Sequence, residues 1–366
     1  MNIAFYIDVM NYRGIANSTF QYAFYNKKIL KNKSIIFYNN KTKENRKDVI
    51  NKFKKKFKVI GISHFNKIDN FKKKLKLKFI YIQKGGDKKD NLVSSNIKTL
   101  VHAIFPQRFN QQHGYNYAYI SEWISHKFSN RKIPYVPLIV QSQKTNKNFK
   151  KKFNINKKNL VLGCHGGEGS FDLKFVKDSI IKAVNKRSDL IFLFMNIDKF
   201  CVHPRIKFLK GTTNENIKKK FINTCDAMIY GRCLGESFGL ACAEFAINDK
   251  LIISYKFNKH KSHQYNSDSK LFLEYTSFNS LTKILLKMNK GKRKKIFNKY
   301  KKCKPSKAIF LFKKIFLENK SKNYFSLTDY FFNYISFCKM YYFYLRHKIY
   351  NHYYNFFESK IIDIKH

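Results

Sequence analysis

Short apolar runs alternate with longer polar stretches through the first part of the chain. Each run has the length of a buried strand. The runs are Ile3–Ile7, Ser34–Tyr38, Val59–Ile62, Phe79–Ile82, Thr99–Phe105 and Tyr117–Ile120. Between them, Lys41–Lys58 and Asn66–Lys78 carry spaced Phe and Ile among many Lys, which favours helices with a solvated basic face over a nucleic-acid patch. Strands that alternate with helices predict βαβ units and a mostly parallel sheet.

The same alternation starts again after a polar break. Residues Gln141–Lys158 have little apolar content, as in an exposed connection between domains. Strands are then predicted at Leu160–Cys164, Leu190–Met195, Ile206–Leu209, Asp226–Tyr230 and Leu251–Ser254, with helices at Glu215–Ile222 and Gly239–Asn248. The pattern predicts an α/β protein of two Rossmann-like doubly wound domains, 1–145 and 146–318, followed by an aromatic and basic helical tail, 319–366.

Composition agrees with two folded domains and adds a strong charge. The 366 residues are 44% hydrophobic and 17% aromatic, which excludes a disordered polycation despite a net charge of +51. Such a charge attracts nucleic acid, anionic lipid or phosphorylated ligands. A coding sequence rich in A and T would also enrich Lys, Asn, Ile, Phe and Tyr together, and this explanation is favoured.

Compartment and membrane signals are few. Seven scattered cysteines predict neither a zinc site nor a disulfide framework, and the N-terminus does not have the pattern of a signal peptide. No window has the apolar length of a membrane span. A cytoplasmic protein is expected, with a peripheral position on the inner membrane face left open. For the aromatic tail, Tyr324–Phe357, packing on the domains is favoured over an interfacial anchor.

The densest cluster of chemistry-bearing residues is Arg232–Ala246, at a predicted strand-to-helix junction. It contains Glu236 and Glu244, separated by seven residues, with a Ser-Phe-Gly step after the first. In an open parallel sheet, ligands bind beyond the carboxyl ends of the strands. Backbone amides around Gly239 then suit a diphosphate, while the two carboxylates suit sugar hydroxyls. On spacing alone, a capping residue and an ordinary surface helix residue explain the two Glu equally well.

The cluster resembles the donor site of retaining glycosyltransferases of the GT-B fold, the family-4-like group. The resemblance rests on Glu-x7-Glu with Ser-Phe-Gly between, Asp226 before it and the strand Leu251–Ser254 after it. It implies two domains that face a cleft. It also implies that Glu244 binds the nucleotide ribose and Glu236 the donor sugar. The amides that it places on the diphosphate are those of Ser237, Phe238, Gly239 and Leu240.

Further candidates are less specific. Arg13 and Gly14 follow the first strand, where such enzymes place a loop near the donor phosphates, although a simple turn is equally expected. Gly166 and Gly167 lie in a glycine-rich loop, which suggests backbone approach to the donor. The remaining candidates are two histidines that could face the cleft, His102, which is assigned to catalysis, and His113. For both, a histidine packed or hydrogen-bonded within the domain is the commoner case.

The chain departs from the family where a basic pair neutralises the leaving diphosphate. Cys164, His165 and Ser170 occupy those positions, so Arg232, Lys174 or Lys177 is expected to supply the charge. Arg232 is therefore assigned to catalysis with Glu236. The sequence has no Asp-x-Asp triplet, and neither a metal nor another cofactor is expected.

These observations predict a glycosyltransferase of hexosyltransferase type. It would move a sugar from a nucleotide-diphosphate donor to a glycan or lipid-linked acceptor, with retention. The expected partners are the nucleotide sugar and the acceptor, and an anionic membrane surface is left open as a third. The alternatives are a sugar-nucleotide epimerase or hydrolase on the same fold and, ranked low, a basic nucleic-acid-binding protein.

Overall fold

The protein consists of two compact units. The structure is a computed structural model that describes residues 1–141, 145–267, 272–290, 299–318 and 324–359. One unit comprises Met1–Gln141 and Lys302–Phe337, and the other comprises Ser142–Lys301 and Cys338–His366. Residues 302–318, which the sequence pattern assigns to the second domain, thus pack with the first. Parts of the predicted connection (142–144) and of the predicted tail (319–323 and 360–366) lie outside the described residues.

A fully parallel six-stranded sheet forms the centre of the first unit in the part of the chain that the structure describes. Its strands follow the order β3-β2-β1-β4-β5-β6. They are β1 (Asn2–Ile7), β2 (Lys33–Asn39), β3 (Lys58–Ile62), β4 (Leu77–Lys84), β5 (Lys98–Ala103) and β6 (Asn116–Tyr119). This is the order of a Rossmann fold, in which strands are added outward from β1 to one edge of the sheet and then outward from β4 to the other edge.

The first unit has helices on its sheet. Three of them are α1 (Gly14–Lys28), α2 (Lys47–Lys54) and α3 (Glu122–Ser129). The α3 helix begins where the Ser121 hydroxyl accepts a hydrogen bond from the Ile124 amide at 3.3 Å. The helix predicted at Asn66–Lys78 is wrong. Only Phe65–Phe71 is helical, as a 3-10 helix that buries Phe65 and Ile68. After it, Leu75, Leu77 and Phe79 alternate with Lys at the two-residue spacing of a strand, and β4 begins at the buried Leu77.

The second unit repeats the same sheet topology in its described residues. Its six parallel strands follow the order β14-β12-β10-β7-β8-β9, so strands are added in one direction from β7 and in the other direction from β10. They are β7 (Leu160–His165), β8 (Leu190–Met195), β9 (Ile206–Leu209), β10 (Ala227–Tyr230), β12 (Leu251–Tyr255) and β14 (Phe272–Tyr275). A two-residue ladder pairs β11 (Gly235–Glu236) with β13 (His260–Lys261). All five strands predicted for this unit are present.

Helices cover the second sheet as well. They are α4 (Lys174–Lys186), α5 (Glu215–Thr224), α6 (Leu240–Ala246), α7 (Ser262–Asn266) and α8 (Phe278–Lys287). In α4 the apolar face at Val176, Ile180, Ala183 and Val184 is fully buried, as the helical spacing predicts. The α8 helix begins with a capping box in which the Ser277 and Ser280 side chains satisfy each other's backbone amides.

Two further helices complete the described structure. The α9 helix (Pro305–Phe312) starts with a proline and continues into a wide helical turn, Lys313–Glu318. The α10 helix (Leu327–Tyr353) continues into a second such turn, Tyr354–Glu358. Its residues up to Phe337 pack with the first unit, and those from Cys338 pack with the second. None of the described helices has the length and apolar content needed to cross a bilayer.

Candidate functional site

The Glu236 loop lies at the switch point of the second sheet. In this unit β7 and β10 are neighbours, and the chain leaves them in opposite directions across the sheet. The β7 strand ends at His165 and is followed by the glycine-rich loop, while β10 is followed by the loop Gly231–Gly239. In doubly wound folds this crevice is where ligands bind.

Two glycines with positive φ give the Gly231–Gly239 loop its course. Gly235 has φ +66° and a Cβ there would lie 2.1 Å from the His260 carbonyl oxygen, so no other residue fits without a shift. Gly239, at φ +84°, immediately precedes α6, and a Cβ there would lie 3.0 Å from the Tyr300 hydroxyl. The backbone conformation and close neighbours of Gly235 and Gly239 therefore explain why each position is a glycine.

Side chains from other segments anchor the same loop. Asn258 donates to the carbonyl oxygens of Arg232 at 2.6 Å and Cys233 at 3.2 Å. The Asp172 carboxylate accepts from the Cys233 amide at 2.7 Å. The Tyr300 hydroxyl donates to the Phe238 carbonyl oxygen at 2.7 Å. The loop is consequently held in one conformation before any ligand binds.

Glu236 is a partly exposed carboxylate at the centre of this loop. Its Oε1 accepts a hydrogen bond from the Tyr230 hydroxyl at 2.7 Å and lies 3.4 Å from Arg232 Nη1. The Glu236 side chain is 21% exposed, so part of the carboxylate faces solvent. Burial, and then the Glu236 charge, raise the pKa of Tyr230 well above its usual range, which keeps this phenol a donor. Arg232 is thus the one proposed substitute cation that the structure brings to Glu236.

Glu244 has a different environment, inside α6. Its side chain is 5% exposed, its Oε1 accepts from Lys218 Nζ at 2.7 Å, and its Oε2 lies 3.0 Å from His165 Nε2. Burial disfavours both charged groups. The Lys218 and His165 contacts nevertheless hold the pKa of Glu244 at about 2, and the charges of Glu244 and Glu215 raise that of Lys218. Glu244 is therefore a buried carboxylate that is ionised at neutral pH.

The contact between His165 and Glu244 is close but incompletely satisfied. His165 Nε2 and Glu244 Oε2 are buried, and neither atom has an aligned hydrogen-bond partner among the described residues despite their 3.0 Å separation. The imidazole also stacks on Phe245, with ring centroids 5.9 Å apart and an interplanar angle of 23°. His165 and Lys218 were not chosen from the sequence. No spacing signal joins Lys218 to a carboxylate 26 residues later on another helix.

Hydrogen bonds from the segment that follows β8 hold the glycine-rich loop after β7. Asn196 donates to the Gly166 carbonyl oxygen at 2.7 Å, and the Gly169 amide donates to Asp198 at 2.7 Å. A Cβ on Gly166 would lie 2.3 Å from the Ser170 hydroxyl. Packing within the loop thus accounts for one of its glycines, and contact of Gly166 and Gly167 with a donor stays a prediction.

The other substitute cations have partners elsewhere. Lys174 pairs with Asp178 at 2.9 Å, and the Lys177 ammonium lies 5.8 Å from the Phe200 ring centroid. Cys164 is buried, and burial raises the pKa of its thiol, so it is a packed residue rather than a nucleophile.

In the first unit, the assignment of His102 to a cleft needs correction. The imidazole is fully buried, with Nδ1 2.7 Å from the Tyr81 hydroxyl and Nε2 2.8 Å from the Val136 carbonyl oxygen. Burial lowers its pKa to about 3. A ring with both nitrogens bonded and no exposed surface has no atom free for a substrate. The signal available in the sequence was its position within an apolar strand.

The remaining first-unit candidates are more exposed. Arg13 and Gly14 are exposed at the start of α1, and a Cβ on Gly14 would meet nothing within 4 Å. His113 is within 2.7 Å of Lys84 Nζ and 2.6 Å of the Gln111 carbonyl oxygen. The donor-binding role of Arg13 and Gly14 stays a prediction. Among the residues that the structure describes, no group of three or more His, Cys, Asp or Glu side chains is arranged to hold a metal ion.

Two doubly wound parallel domains of this topology define the GT-B class of fold. No family model matches the sequence. No curated protein matches it either. The fold is similar to several solved structures at low sequence identity, and each likeness covers most of both chains.

The first is a glycosyltransferase from Rickettsia africae ESF-5, with a TM-score of 0.60, 12% identity, and coverage of 87% of this chain and 99% of that one. The Anabaena protein Alr3699/HepE in complex with UDP and glucose gives a TM-score of 0.58 at 10% identity, over 86% and 95%. Sucrose-phosphate synthase from Thermosynechococcus elongatus gives 0.54 at 8% identity, over 86% and 95%. At these identities the likeness establishes the fold.

Proposed function

We propose that this protein is a nucleotide-sugar-dependent glycosyltransferase of hexosyltransferase type. It transfers a sugar from a nucleotide-diphosphate donor to a glycan or lipid-linked acceptor, with retention of configuration. The observation that carries the proposal is the pair of carboxylates at the switch point of the second unit, one partly exposed beside Arg232 and one buried and ionised. A protein of the same fold, the Anabaena HepE, is known in complex with UDP-glucose, and we extend that class of ligand to this chain.

The two carboxylates have different tasks in this proposal. Glu236 accepts hydrogen bonds from hydroxyls of the donor sugar, because its carboxylate is partly exposed and is already oriented by Tyr230. Glu244 binds the ribose diol through Oε2, the oxygen that Lys218 leaves free. Since the His165 ring lies against that oxygen, a ribose hydroxyl takes the place of the imidazole contact.

The departing diphosphate requires positive charge. The Arg232 guanidinium and the amides of Ser237, Phe238, Gly239 and Leu240 are the groups that we assign to it, since they belong to the same anchored loop. Preorganised donors of this kind stabilise a leaving anion without reorganisation during the reaction. We propose that transfer needs no metal ion, so that activity persists in EDTA.

A thermal-shift titration with UDP, UDP-glucose and other UDP- and GDP-sugars tests donor binding, because a ligand that binds only the folded state raises its apparent stability. Glu236→Gln should reduce the shift caused by a nucleotide sugar more than the shift caused by the free nucleotide. Glu274→Gln, which removes the same charge from an exposed strand of the same unit, should leave both shifts unchanged. Equal shifts for Glu236→Gln and the unchanged protein would contradict the assignment.

Product analysis separates transfer from the alternatives on the same fold. With an acceptor glycan present, we expect glycosylated product and free nucleotide diphosphate in equal amounts. Nucleotide and free sugar at the same rate with and without acceptor would identify a hydrolase. A changed sugar still attached to the nucleotide would identify an epimerase.

A further inference from the structure

The second half of α10 has one buried side. The Tyr354 hydroxyl, in the turn that follows, donates to Asp178 at 2.6 Å, and its ring packs 5.7 Å from that of Phe175. His347 is also buried, and its ring lies 5.6 Å from that of Tyr255. These contacts fix the helix on the second unit and determine which side faces outward.

The outward side is a stripe of large apolar and aromatic residues. Tyr341, Leu345, Ile349 and Tyr353 follow one another at four-residue intervals, which places them on one face of the helix. They are 56%, 56%, 62% and 49% exposed. Tyr342 and Phe357 extend the exposed apolar surface. A soluble surface seldom leaves so many large side chains together without an apolar partner.

Cations border this stripe, and acids are missing from it. At about 100° per residue, Lys348 lies on one side of the Leu345–Ile349 line and Arg346 on the other. The Arg346 guanidinium lies 4.3 Å from the Phe257 ring centroid, and Lys348 Nζ lies 5.1 Å from that of Tyr344. The sequence from Cys338 to Tyr353 contains no Asp or Glu.

We propose that this face of α10, defined by Tyr341, Leu345, Ile349 and Tyr353 with Arg346 and Lys348, binds the surface of an anionic phospholipid bilayer. Tyrosine rings and flanking cations suit the headgroup region, where the apolar part of a side chain inserts and its polar tip stays hydrated. The helix lies on the bilayer rather than across it, consistent with the absence of a spanning helix among the described ones.

Charge selects the bilayer over a second copy of the chain. The protein has a net charge of +51, and the stripe is bordered by cations, so contact between two copies would bring like charges together. An anionic bilayer offers both the negative charge and the apolar depth that the stripe requires. The inference does not depend on the proposed function, and none of its residues belongs to the candidate site.

Vesicle flotation with the full chain tests the proposal. The probes are vesicles of phosphatidylcholine alone and of phosphatidylcholine with increasing phosphatidylglycerol. Binding should appear with phosphatidylglycerol, should be weak with phosphatidylcholine alone, and should fall as salt is added.

Paired variants identify the face. Arg346→Gln with Lys348→Gln should weaken binding by about fivefold for each charge, because a cation near an anionic surface contributes about 1 kcal/mol. Lys157→Gln with Lys158→Gln, which removes two exposed charges elsewhere in the second unit, is the matched control. Ile349→Ser should weaken binding on the order of tenfold. Val202→Ser, at an 86% exposed position in the same unit, should not.

Thermal unfolding of each variant verifies that the fold persists. Equal vesicle binding by the helix variants and their controls would overturn the proposal. So would a dimer in solution that Ile349→Ser dissociates, because the stripe would then be a contact between copies. Binding of a short DNA duplex that depends on Ile349, together with vesicle binding that does not, would overturn it as well.

Discussion

Glu236 and Glu244 belong to one short segment, and each lies near a cation, but they differ in how deeply they are buried. Glu236 is on a loop, partly exposed, and bonded to a neutral phenol with Arg232 nearby. Glu244 is on a helix, buried, and matched to Lys218 and His165. The difference in burial predicts different routes to a ligand for the two carboxylates. Glu236, with an open edge, can exchange water for a sugar hydroxyl directly, whereas Glu244 first has to release its His165 contact before the proposed ribose hydroxyl can bind.

The largest effect should come from removing the counter-charge of Glu244. Lys218→Met leaves that carboxylate buried without its closest cation, so the free energy of unfolding should fall by about 3–5 kcal/mol. Urea denaturation at neutral pH measures the change. Lys174→Met removes a half-exposed partner of Asp178 and should cost about 0–1 kcal/mol. Similar losses in both variants would remove the distinction between a buried and an exposed pair.

Exchange of the accessible carboxylate should affect transfer instead of stability. Glu236→Gln keeps an acceptor for Tyr230 but loses the charge, so the transfer rate should fall by about 10²–10³ while the urea midpoint changes little. Steady-state assays with the nucleotide sugar that gives the largest thermal shift measure the rate. Glu274→Gln should transfer at the original rate. A large loss of stability in Glu236→Gln would mean that Glu236 is a structural residue.

The pH dependence of stability should report Glu244. Its pKa is lowered from 4.5 to about 2 by Lys218 and His165 against the opposing effect of burial, so the stabilisation is complete above about pH 4.5 and is lost as pH falls through about 2. The lost free energy is about 3 kcal/mol. The difference in unfolding free energy between the original protein and Glu244→Gln should therefore shrink across this range. A difference independent of pH would contradict the ionised state of Glu244.

The smallest effects compare two glycines. Gly235→Ala should lose roughly 1–3 kcal/mol of stability, because the residue has φ +66° and the new Cβ would overlap the His260 carbonyl oxygen. Gly14→Ala should be neutral or gain up to about 1 kcal/mol, since it opens α1 and has no neighbour within 4 Å. Thermal unfolding measures both. Loss of donor binding in Gly14→Ala without loss of stability would support the predicted role of that loop.

Eleven of the twelve described strands in the two sheets were predicted from the sequence, because each is an apolar run between polar segments. The edge strand β14 was not predicted, since it contains Glu274 and only Tyr275 of its four residues is buried. Leu190–Met195 and Ile206–Leu209 have the predicted bounds. The short β11 and β13 ladder was not predicted. It pairs only two residues of each segment and depends on the turn at Gly235. The helix predicted at Asn66–Lys78 was wrong, because the end of that segment has the two-residue alternation of a strand and Leu77 begins β4.

Only the part of the site that lies within one sequence segment was predictable. Glu236, Arg232 and Gly239 lie within one segment, so their proximity follows from the sequence. Lys218 and His165 reach Glu244 through the packing of α5, β7 and α6, which no local pattern encodes. His102 illustrates the opposite error, since its polarity suggested chemistry while its two hydrogen bonds satisfy it inside the core.

The division of the C-terminal segment has a consequence for synthesis on the ribosome. Phe312 and Phe316 complete the aromatic core of the first unit, where they pack against Tyr22, Tyr81 and His102. The ribosome makes Gln141 long before Lys302. At ~5–20 residues per second, synthesis of the segment with Phe312 and Phe316 follows that of Gln141 by roughly 10–30 s. During that time the aromatic core of the first unit is incomplete and accessible to chaperones. A fragment that ends at residue 301 should therefore aggregate.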